Sequence, residues 1–142
     1  MENKYLIGID IGGTTFTSAL FTEKLELVSK SDKNQISNFH STEELIDGLV
    51  NQIIQLSENK NIHGIGISCP GPLIARTGII LNTPNLTLLQ NCNLKYEMEK
   101  RLEFPCLIEN DANLFALGEY KYYNKSKNFI HYYFSKFFVE LG

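Results

Sequence analysis

The chain has 142 residues, enough for one domain with a buried core, since domains cluster at roughly 100 to 150 residues. Its composition is that of an ordinary globular protein, with 43% hydrophobic and 20% charged residues. The net charge of -3 gives no reason to expect a nucleic-acid partner or an anionic membrane surface.

The first 36 residues predict three antiparallel strands. Residues 5–11 and 14–21 are rich in β-forming side chains, and only Gly12 and Gly13 separate them. This spacing is typical of a tight hairpin whose turn residues adopt positive φ. A third strand follows within residues 25–36, after a turn at Glu23 and Lys24.

Strands and helices alternate along the next part of the chain. Leu45, Leu49, Ile53 and Leu56 recur at helical spacing behind a possible N-cap at Ser41 or Thr42. Alternating elements of this kind imply right-handed crossovers and a mixed sheet with helices on its faces. The predicted helices are residues 41–61, 94–104 and 113–123, and the predicted strands are residues 62–68 and 106–111.

The end of the chain differs from the rest. The segment "NFIHYYFSKFF" is aromatic and sparsely charged, and it does not continue the strand–helix pattern before it. We therefore expect one domain over residues 1–125 and an atypical tail over residues 126–142.

The cysteines and the apolar segments favour a cytoplasmic protein. Cys69, Cys92 and Cys106 are odd in number and far apart, which fits neither a disulfide framework nor a paired zinc site. The N-terminus lacks the pattern of a signal peptide, and no apolar run reaches the ~20 residues needed to cross a bilayer.

The glycine turn of the first hairpin is a candidate phosphate site. Asp10 precedes Gly12 and Gly13, whose backbone amides can approach an anion closely, and Thr14 and Thr15 add hydroxyl groups. A carboxylate that faces a phosphate needs a cation between them, usually Mg²⁺ with its waters. The alternative is a plain hairpin that Asp10 caps.

A second candidate lies at the end of the strand at residues 106–111. Glu109, Asn110 and Asp111 cluster there, at the edge where ligands bind in open α/β sheets. Asp111 could accept a proton from an attacking hydroxyl group while Asn110 orients the substrate. The alternative is that Asp111 is only the N-cap of the following helix.

Two proline-containing loops form the third candidate. "GISCPGPL" and "NTPNL" each follow an apolar run. The amide of Gly71 and the side chain of Asn85 would suit hydrogen bonds to a polyhydroxylated ligand, although both loops could be purely structural turns.

Together these stretches resemble the ROK family (repressors, open reading frames and sugar kinases) of the actin-like, ribonuclease H-like ATPase superfamily. The resemblance rests on "IGIDIGGTTFTSALF", "GIGISCPGPL", "GIILNTPNL" and "IENDANLFALGEY", in that order. It implies the α/β fold of an actin-like N-terminal domain. Such a domain has a mixed five-stranded sheet, three antiparallel strands followed by parallel strands, with helices on both faces.

The resemblance also implies an activity, because most family members are ATP-dependent hexose or N-acetylhexosamine kinases. Asp111 would be the catalytic base, and Asp10 would hold Mg²⁺ through water. Some members are repressors, and a non-catalytic sugar-binding or assembly domain is a further alternative. The implied sugar site is Gly71, Asn85, Asn110 and Asp111, and the implied ATP-phosphate and Mg²⁺ site is Asp10, Gly12, Gly13, Thr14 and Thr15.

Family members are about twice as long and carry a second phosphate loop and a zinc site, for which this sequence has no match. We therefore expect a truncated kinase domain with little activity alone. Its expected partners are a sugar and, in a homo-oligomer, further copies of the chain; no nucleic acid or membrane is expected. A repressor would need a helix-turn-helix before the first strand, where only four residues stand.

Overall fold

A computed structural model describes residues 3–111 of the chain, so the predicted helix 113–123 and the predicted tail lie outside the described residues. The described part alternates strands and helices as the sequence pattern indicates. Short 3-10 turns at Ile36–Asn38 and Thr87–Leu89 link some of these elements. The strands are β1 (Lys4–Ile11), β2 (Thr15–Thr22), β3 (Leu27–Lys30), β4 (Asn34–Gln35), β5 (Asn61–Cys69), β6 (Leu73–Ile74), β7 (Ile79–Ile80) and β8 (Cys106–Asn110), and the helices are α1 (Thr42–Ser57) and α2 (Leu94–Leu102).

The main sheet is mixed, as predicted. Its strand order is β3-β2-β1-β5-β8, and the short β4 also pairs with β2. The β1–β2 and β2–β3 pairs are antiparallel, whereas β1–β5 and β5–β8 are parallel. A separate antiparallel ribbon, β6–β7, was not predicted from the sequence. The α/β class and the change from antiparallel to parallel pairing are confirmed.

The predicted third strand is split in two. Ser31 leaves the β3 ladder because its amide donates to Ser18 O at 2.8 Å while its hydroxyl accepts from Ser18 N at 2.9 Å. The chain then bends, and Gln52 Nε2 donates to Asp32 O at 3.3 Å. Pairing with β2 resumes at β4, where Asn34 lies opposite Phe16.

Helix α1 begins where its capping residues predict. The Ser41 hydroxyl accepts from Glu44 N at 3.1 Å, and the Glu44 carboxylate accepts from His40 N at 2.7 Å. These bonds satisfy amides that a helix start leaves without partners. The helix ends at Ser57, four residues earlier than predicted, and Asn59 then adopts a left-handed conformation with φ of 60°.

The core lies between one face of the sheet and the two described helices. Ile7, Ile9 and Ile11 alternate along β1 toward this face, and each is fully buried. Because α1 and α2 contact each other through Arg101, which pairs with Glu43 at 2.7 Å, both helices cover the same face. None of the helices between residues 3 and 111 is long and apolar enough to cross a membrane.

The β6–β7 ribbon depends on Gly78. Its φ is +80°, a region that side chains with a Cβ rarely adopt, and an added Cβ would lie 2.1 Å from Lys95 Cβ. We expect Gly78→Ala to lower the free energy of unfolding by about 1–3 kcal/mol through strain and overlap. Urea denaturation followed by far-UV circular dichroism measures this.

Gly64→Ala in β5 is the matched control, because an added Cβ there would have neighbours no closer than 3.7 Å. We expect this variant to unfold within about 1 kcal/mol of the parent chain. Equal losses in both variants would contradict the special role of Gly78.

Candidate functional site

Polar side chains lie side by side at the carboxyl ends of the parallel strands. Asp10 of β1 lies opposite Ser68 of β5, and Ser68 lies opposite Glu109 of β8. On its other side Asp10 pairs with Thr17 of β2. Since side chains alternate along a strand, all four project from the sheet face opposite the α1–α2 core. This edge is where open α/β sheets bind ligands.

The predicted glycine turn closes the β1–β2 hairpin at the same edge, but the predicted positive φ was wrong, because among the described glycines only Gly78 has one. Gly12 N donates to Thr15 O at 2.8 Å, and Thr14 O accepts from Ile36 N at 2.8 Å. The first bond closes the turn, and the second connects the turn to the segment that follows β4. Gly13 and Thr14 are exposed at the tip, so the turn presents backbone rather than bulky side chains to solvent.

The hairpin and the two proline-containing loops meet in one cleft of about 590 Å³. Six of the predicted site residues therefore come together, although sequence separates the first from the last by nearly a hundred positions. Their neighbour Pro70 also lines the cleft. The lining residues are Gly13, Thr14, Pro70, Gly71, Asn85, Asn110 and Asp111.

Three predicted residues do not line this cleft. Asp10 lies beside it, half-buried and close enough to interact electrostatically with Asp111. Gly12 closes the turn through its amide. Thr15 begins β2 and lies opposite Gln35 of β4. The predicted residues thus fall into two groups, six that line the cleft and three that lie next to it in the hairpin.

Close backbone approaches set the shape of the cleft. A Cβ on Gly13 would lie 3.0 Å from Asn85 O, so the hairpin tip and the "NTPNL" loop are in contact. A Cβ on Gly71 would lie 1.9 Å from Asn110 Nδ2, in the space that the Asn110 amide occupies. Glycine at position 71 therefore lets the amide side chain lie against the loop backbone.

The carboxylates form an electronegative group. Burial, and then the negative charge of Asp111, raise the pKa of Asp10, while Lys33 and Lys30 act in the opposite direction. Burial first, followed by Asp111, Glu109 and Asp10, also raises the pKa of the Cys69 thiol to about 12. Cys69 is therefore a neutral thiol at physiological pH and not a nucleophile.

The donor set suits a hydrated Mg²⁺ better than a metal enclosed by protein ligands. Within residues 3–111, no group of three or more histidine, cysteine or acidic side chains is arranged to hold a metal. Mg²⁺ usually keeps several waters and binds one or two carboxylates together with substrate phosphates. Asp10 beside the hairpin amides fits that pattern, because it offers one carboxylate next to a phosphate-sized backbone turn.

Sequence reasoning missed Ser68, Thr17, Lys30 and Lys33. Ser68 is fully buried. Among the buried side-chain oxygen and nitrogen atoms of residues 3–111, only its hydroxyl oxygen has no hydrogen-bond partner. Alternation along the predicted strands could have placed Ser68 on a face but not beside Asp10. That placement requires the β1–β5 register, which connects residues almost sixty positions apart.

A family model described as the ROK family matches residues 6–136. The chain belongs to the ROK family. Among its relatives, it is 33% identical over 119 residues to a glucokinase of Thermotoga maritima, covering 84% of this chain and 37% of that protein. It is 34% identical over 113 residues to an N-acetyl-D-glucosamine kinase of Photobacterium profundum, covering 79% and 36%. This ROK chain thus spans little more than a third of the length of these relatives.

Solved structures of ROK proteins share the fold. A ROK glucokinase from Streptomyces griseus, in complex with glucose and AMPPNP, superposes with a TM-score of 0.72 at 28% identity, covering 87% of this chain and 38% of that one. A ROK transcriptional regulator homologous to the Escherichia coli MLC protein gives a TM-score of 0.72 at 22% identity, over 84% and 31% of the two chains. The second likeness concerns the fold alone.

The raised pKa of Asp10 predicts a pH-dependent cost to stability. The folded state binds the Asp10 proton more tightly than the unfolded state, in which the pKa of Asp10 is near 3.8. Stability therefore falls as pH rises from below 3.8 through the raised pKa. We expect Asp10→Asn to unfold at higher urea concentration than the parent chain at pH 7, and the difference to disappear below pH 3.8.

The measurement is urea denaturation of metal-free protein across this pH range. Glu26→Gln is the control, because Glu26 is an exposed carboxylate in the turn before β3. A gain at pH 7 that is equal in both variants would reflect net charge and contradict the effect of burial.

Two buried serines make a matched pair for stability. Ser18 and Ser68 are both fully buried, but the Ser18 hydroxyl donates to Gln52 Oε1 and the Ser68 hydroxyl has no partner within the described chain. We expect Ser18→Ala to lower the free energy of unfolding by about 1–2 kcal/mol. Ser68→Ala should leave it unchanged within about 0.5 kcal/mol or raise it, because a buried hydroxyl group without a partner is itself costly.

Chemical denaturation of both variants at one pH measures the difference. A loss in Ser68→Ala as large as that in Ser18→Ala would contradict the expectation. It would mean that the Ser68 hydroxyl has a stabilising partner in solution.

Proposed function

We propose that this chain is the N-terminal part of an ATP-dependent sugar kinase, which transfers the γ-phosphoryl group of ATP to a hydroxyl group of a hexose or N-acetylhexosamine. The observation that carries the proposal is the cleft in which a glycine turn faces an amide–carboxylate pair. A phosphate-sized backbone turn and a possible proton acceptor thus share one space of about 590 Å³. Similarity to glucokinases and to N-acetyl-D-glucosamine kinases supports the same substrate class.

In this proposal the sugar binds between Gly71, Asn85 and Asn110. Amide side chains both donate and accept hydrogen bonds, which suits hydroxyl groups that do the same. Asp111 lies next in sequence to Asn110 and lines the same cleft, so its carboxylate can meet a hydroxyl group of the bound sugar.

Asp111 acts as the general base. Its carboxylate accepts the proton of the attacking hydroxyl group as the sugar oxygen forms a bond to the γ-phosphorus. The bond from that phosphorus to the β–γ bridging oxygen breaks, and ADP leaves. Phosphoryl transfer depends mainly on positioning and on charge neutralisation, so one base and an array of donors suffice on this side.

The hairpin binds the phosphates. The amides of Gly13 and Thr14 donate toward the phosphate oxygens, Gly12 closes the turn through its own amide, and the Thr15 hydroxyl lies at the same turn. Asp10 would hold Mg²⁺ through water, and the ion would supply positive charge for the phosphates.

The chain covers 37% of the Thermotoga maritima glucokinase, so we infer that the remaining part of a full-length kinase supplies the other side of the nucleotide site. Without that side, the advantage of holding both reactants in one geometry is lost. We therefore expect little or no turnover from the chain alone.

A coupled ATP assay tests the proposal on a chimera in which the C-terminal part of the Thermotoga maritima glucokinase follows the residues described here. The substrates are glucose, mannose, fructose and N-acetylated hexosamines. We expect Asp111→Asn to reduce kcat by about 10²–10⁴-fold, because it removes the proton acceptor and keeps the shape.

Glu26→Gln is the control in the same chimera and should retain the parent kcat. Turnover of Asp111→Asn within twofold of the parent would remove Asp111 from the role of base. Sugar binding measured by calorimetry, without ATP turnover in the chimera, would favour a non-catalytic sugar-binding domain instead.

A further inference from the structure

Two lysines lie in the β3–β4 segment, which pairs with strand β2 of the hairpin, and have no part in the proposed site so far. Lys30 ends β3 and lies opposite Ala19 of β2. Ala19 is two residues from Thr17, the partner of Asp10, so both β2 side chains project from the same face. Lys30 therefore lies on the Asp10 face of the sheet.

Lys33 approaches the turn from the β3–β4 connection. The next residue, Asn34, lies opposite Phe16, the second residue of β2, and Ile36 N donates to Thr14 O at 2.8 Å. The segment that carries Lys33 is thus bonded to the hairpin itself. Its position relative to the glycine turn is fixed by backbone pairing rather than by a free loop.

Neither ammonium group is used by the described part of the fold. Lys30 and Lys33 are both exposed, and the ion pairs between residues 3 and 111 all involve Arg101. Both lysines act electrostatically on Asp10. They lower the pKa of its carboxyl group, Lys33 more than Lys30. Their positive charge is therefore felt at the carboxylate next to the turn.

The cleft needs positive charge if a phosphate chain is to enter it. Asp10, Glu109 and Asp111 place three carboxylates at this edge, and phosphate oxygens would meet repulsion there. Backbone amides at a turn carry only partial charges. A divalent cation and nearby ammonium groups are the usual means of neutralising a chain of phosphates.

We propose that Lys30 and Lys33, together with the backbone amides of Gly13 and Thr14 at the exposed tip of the turn, form a binding subsite for an oligophosphate chain. The inference rests on the proposed function and extends it, because it assigns two side chains outside the cleft lining to the binding of the phosphate chain. The phosphate tail of a nucleoside triphosphate and a free inorganic polyphosphate share this chemistry.

Isothermal titration of the whole chain with tripolyphosphate, in excess Mg²⁺ and at an ionic strength of about 0.15 M, tests the subsite. We expect the double variant Lys30→Ala/Lys33→Ala to bind tripolyphosphate at least about tenfold more weakly than the parent chain, since two charge-assisted contacts are lost. Each variant is first shown to be folded by its far-UV circular dichroism spectrum and its urea denaturation curve.

The double variant Lys24→Ala/Lys60→Ala is the matched control. It removes the same total charge, but Lys24 lies in the turn at the opposite end of β2 and Lys60 lies just before β5, over the Tyr5 ring at 5.8 Å. We expect its affinity to stay within about twofold of the parent, because screening limits distant exposed charges.

An equal loss in both double variants would reduce the effect to net charge and overturn the subsite. Unchanged affinity in Lys30→Ala/Lys33→Ala, or no binding by the parent chain, would overturn it as well. A parallel titration with AMPPNP separates the sources. Equal weakening of both ligands assigns the subsite to a nucleotide tail, and weakening of tripolyphosphate alone assigns it to free polyphosphate.

The failure of this inference is distinguishable from the failure of the proposed function. Oligophosphate binding that depends on the two lysines, in a protein whose chimera phosphorylates no sugar, would refute the kinase and keep the subsite. Sugar phosphorylation with oligophosphate affinity indifferent to Lys30 and Lys33 would refute the subsite and keep the kinase.

Discussion

The parallel pairing of β5 with β1 on one side and with β8 on the other determines the geometry of the whole cleft. It brings the carboxyl ends of three strands, distant in sequence, to one edge of the sheet. The register then sets Asp10, Ser68 and Glu109 in one row. A shift of one residue would turn this row toward the core and bring Ile9 or Ile11 to the other face, so the buried isoleucines of β1 also hold the polar row in place.

The core thus stabilises an arrangement that is unfavourable in itself. Asp10 is half-buried and lies close enough to Asp111 for their negative charges to interact, and Glu109 acts with both of them on the nearby Cys69 thiol. Desolvation and like charge both favour the neutral form of such a group. A chain that needed only stability would place an asparagine or an apolar side chain there. In the proposed kinase, the Mg²⁺ held by Asp10 would offset this charge.

Local patterns in the sequence predict much of this fold. The β-rich runs around Gly12 and Gly13 predict the hairpin, and Ser41 with Glu44 predicts the start of α1. Both depend on contacts within four residues of the chain, so a single sequence contains the necessary information. The change from hairpins to alternating helices and strands likewise predicts the mixed sheet.

The features that sequence patterns do not predict depend on long-range pairing. The third strand is interrupted because Ser31 bonds Ser18, thirteen residues away, and nothing local to Ser31 indicates this. The β6–β7 ribbon has two-residue strands, too short for a visible alternation. The positions of Ser68 and the two lysines relative to Asp10 follow only from the registers of β5, β3 and β4. The chemistry of individual side chains was therefore predictable where a motif carried it, and their neighbours across the sheet were not.

The contacts of Gly13 with Asn85 and of Gly71 with Asn110 combine both kinds of information. A glycine in the sequence indicates that another group can approach the backbone closely, but only the fold identifies that group. The first contact joins the hairpin to the "NTPNL" loop, and the second joins the "CPGPL" loop to the end of β8, so the walls of the cleft are held by contacts between elements that are distant in sequence.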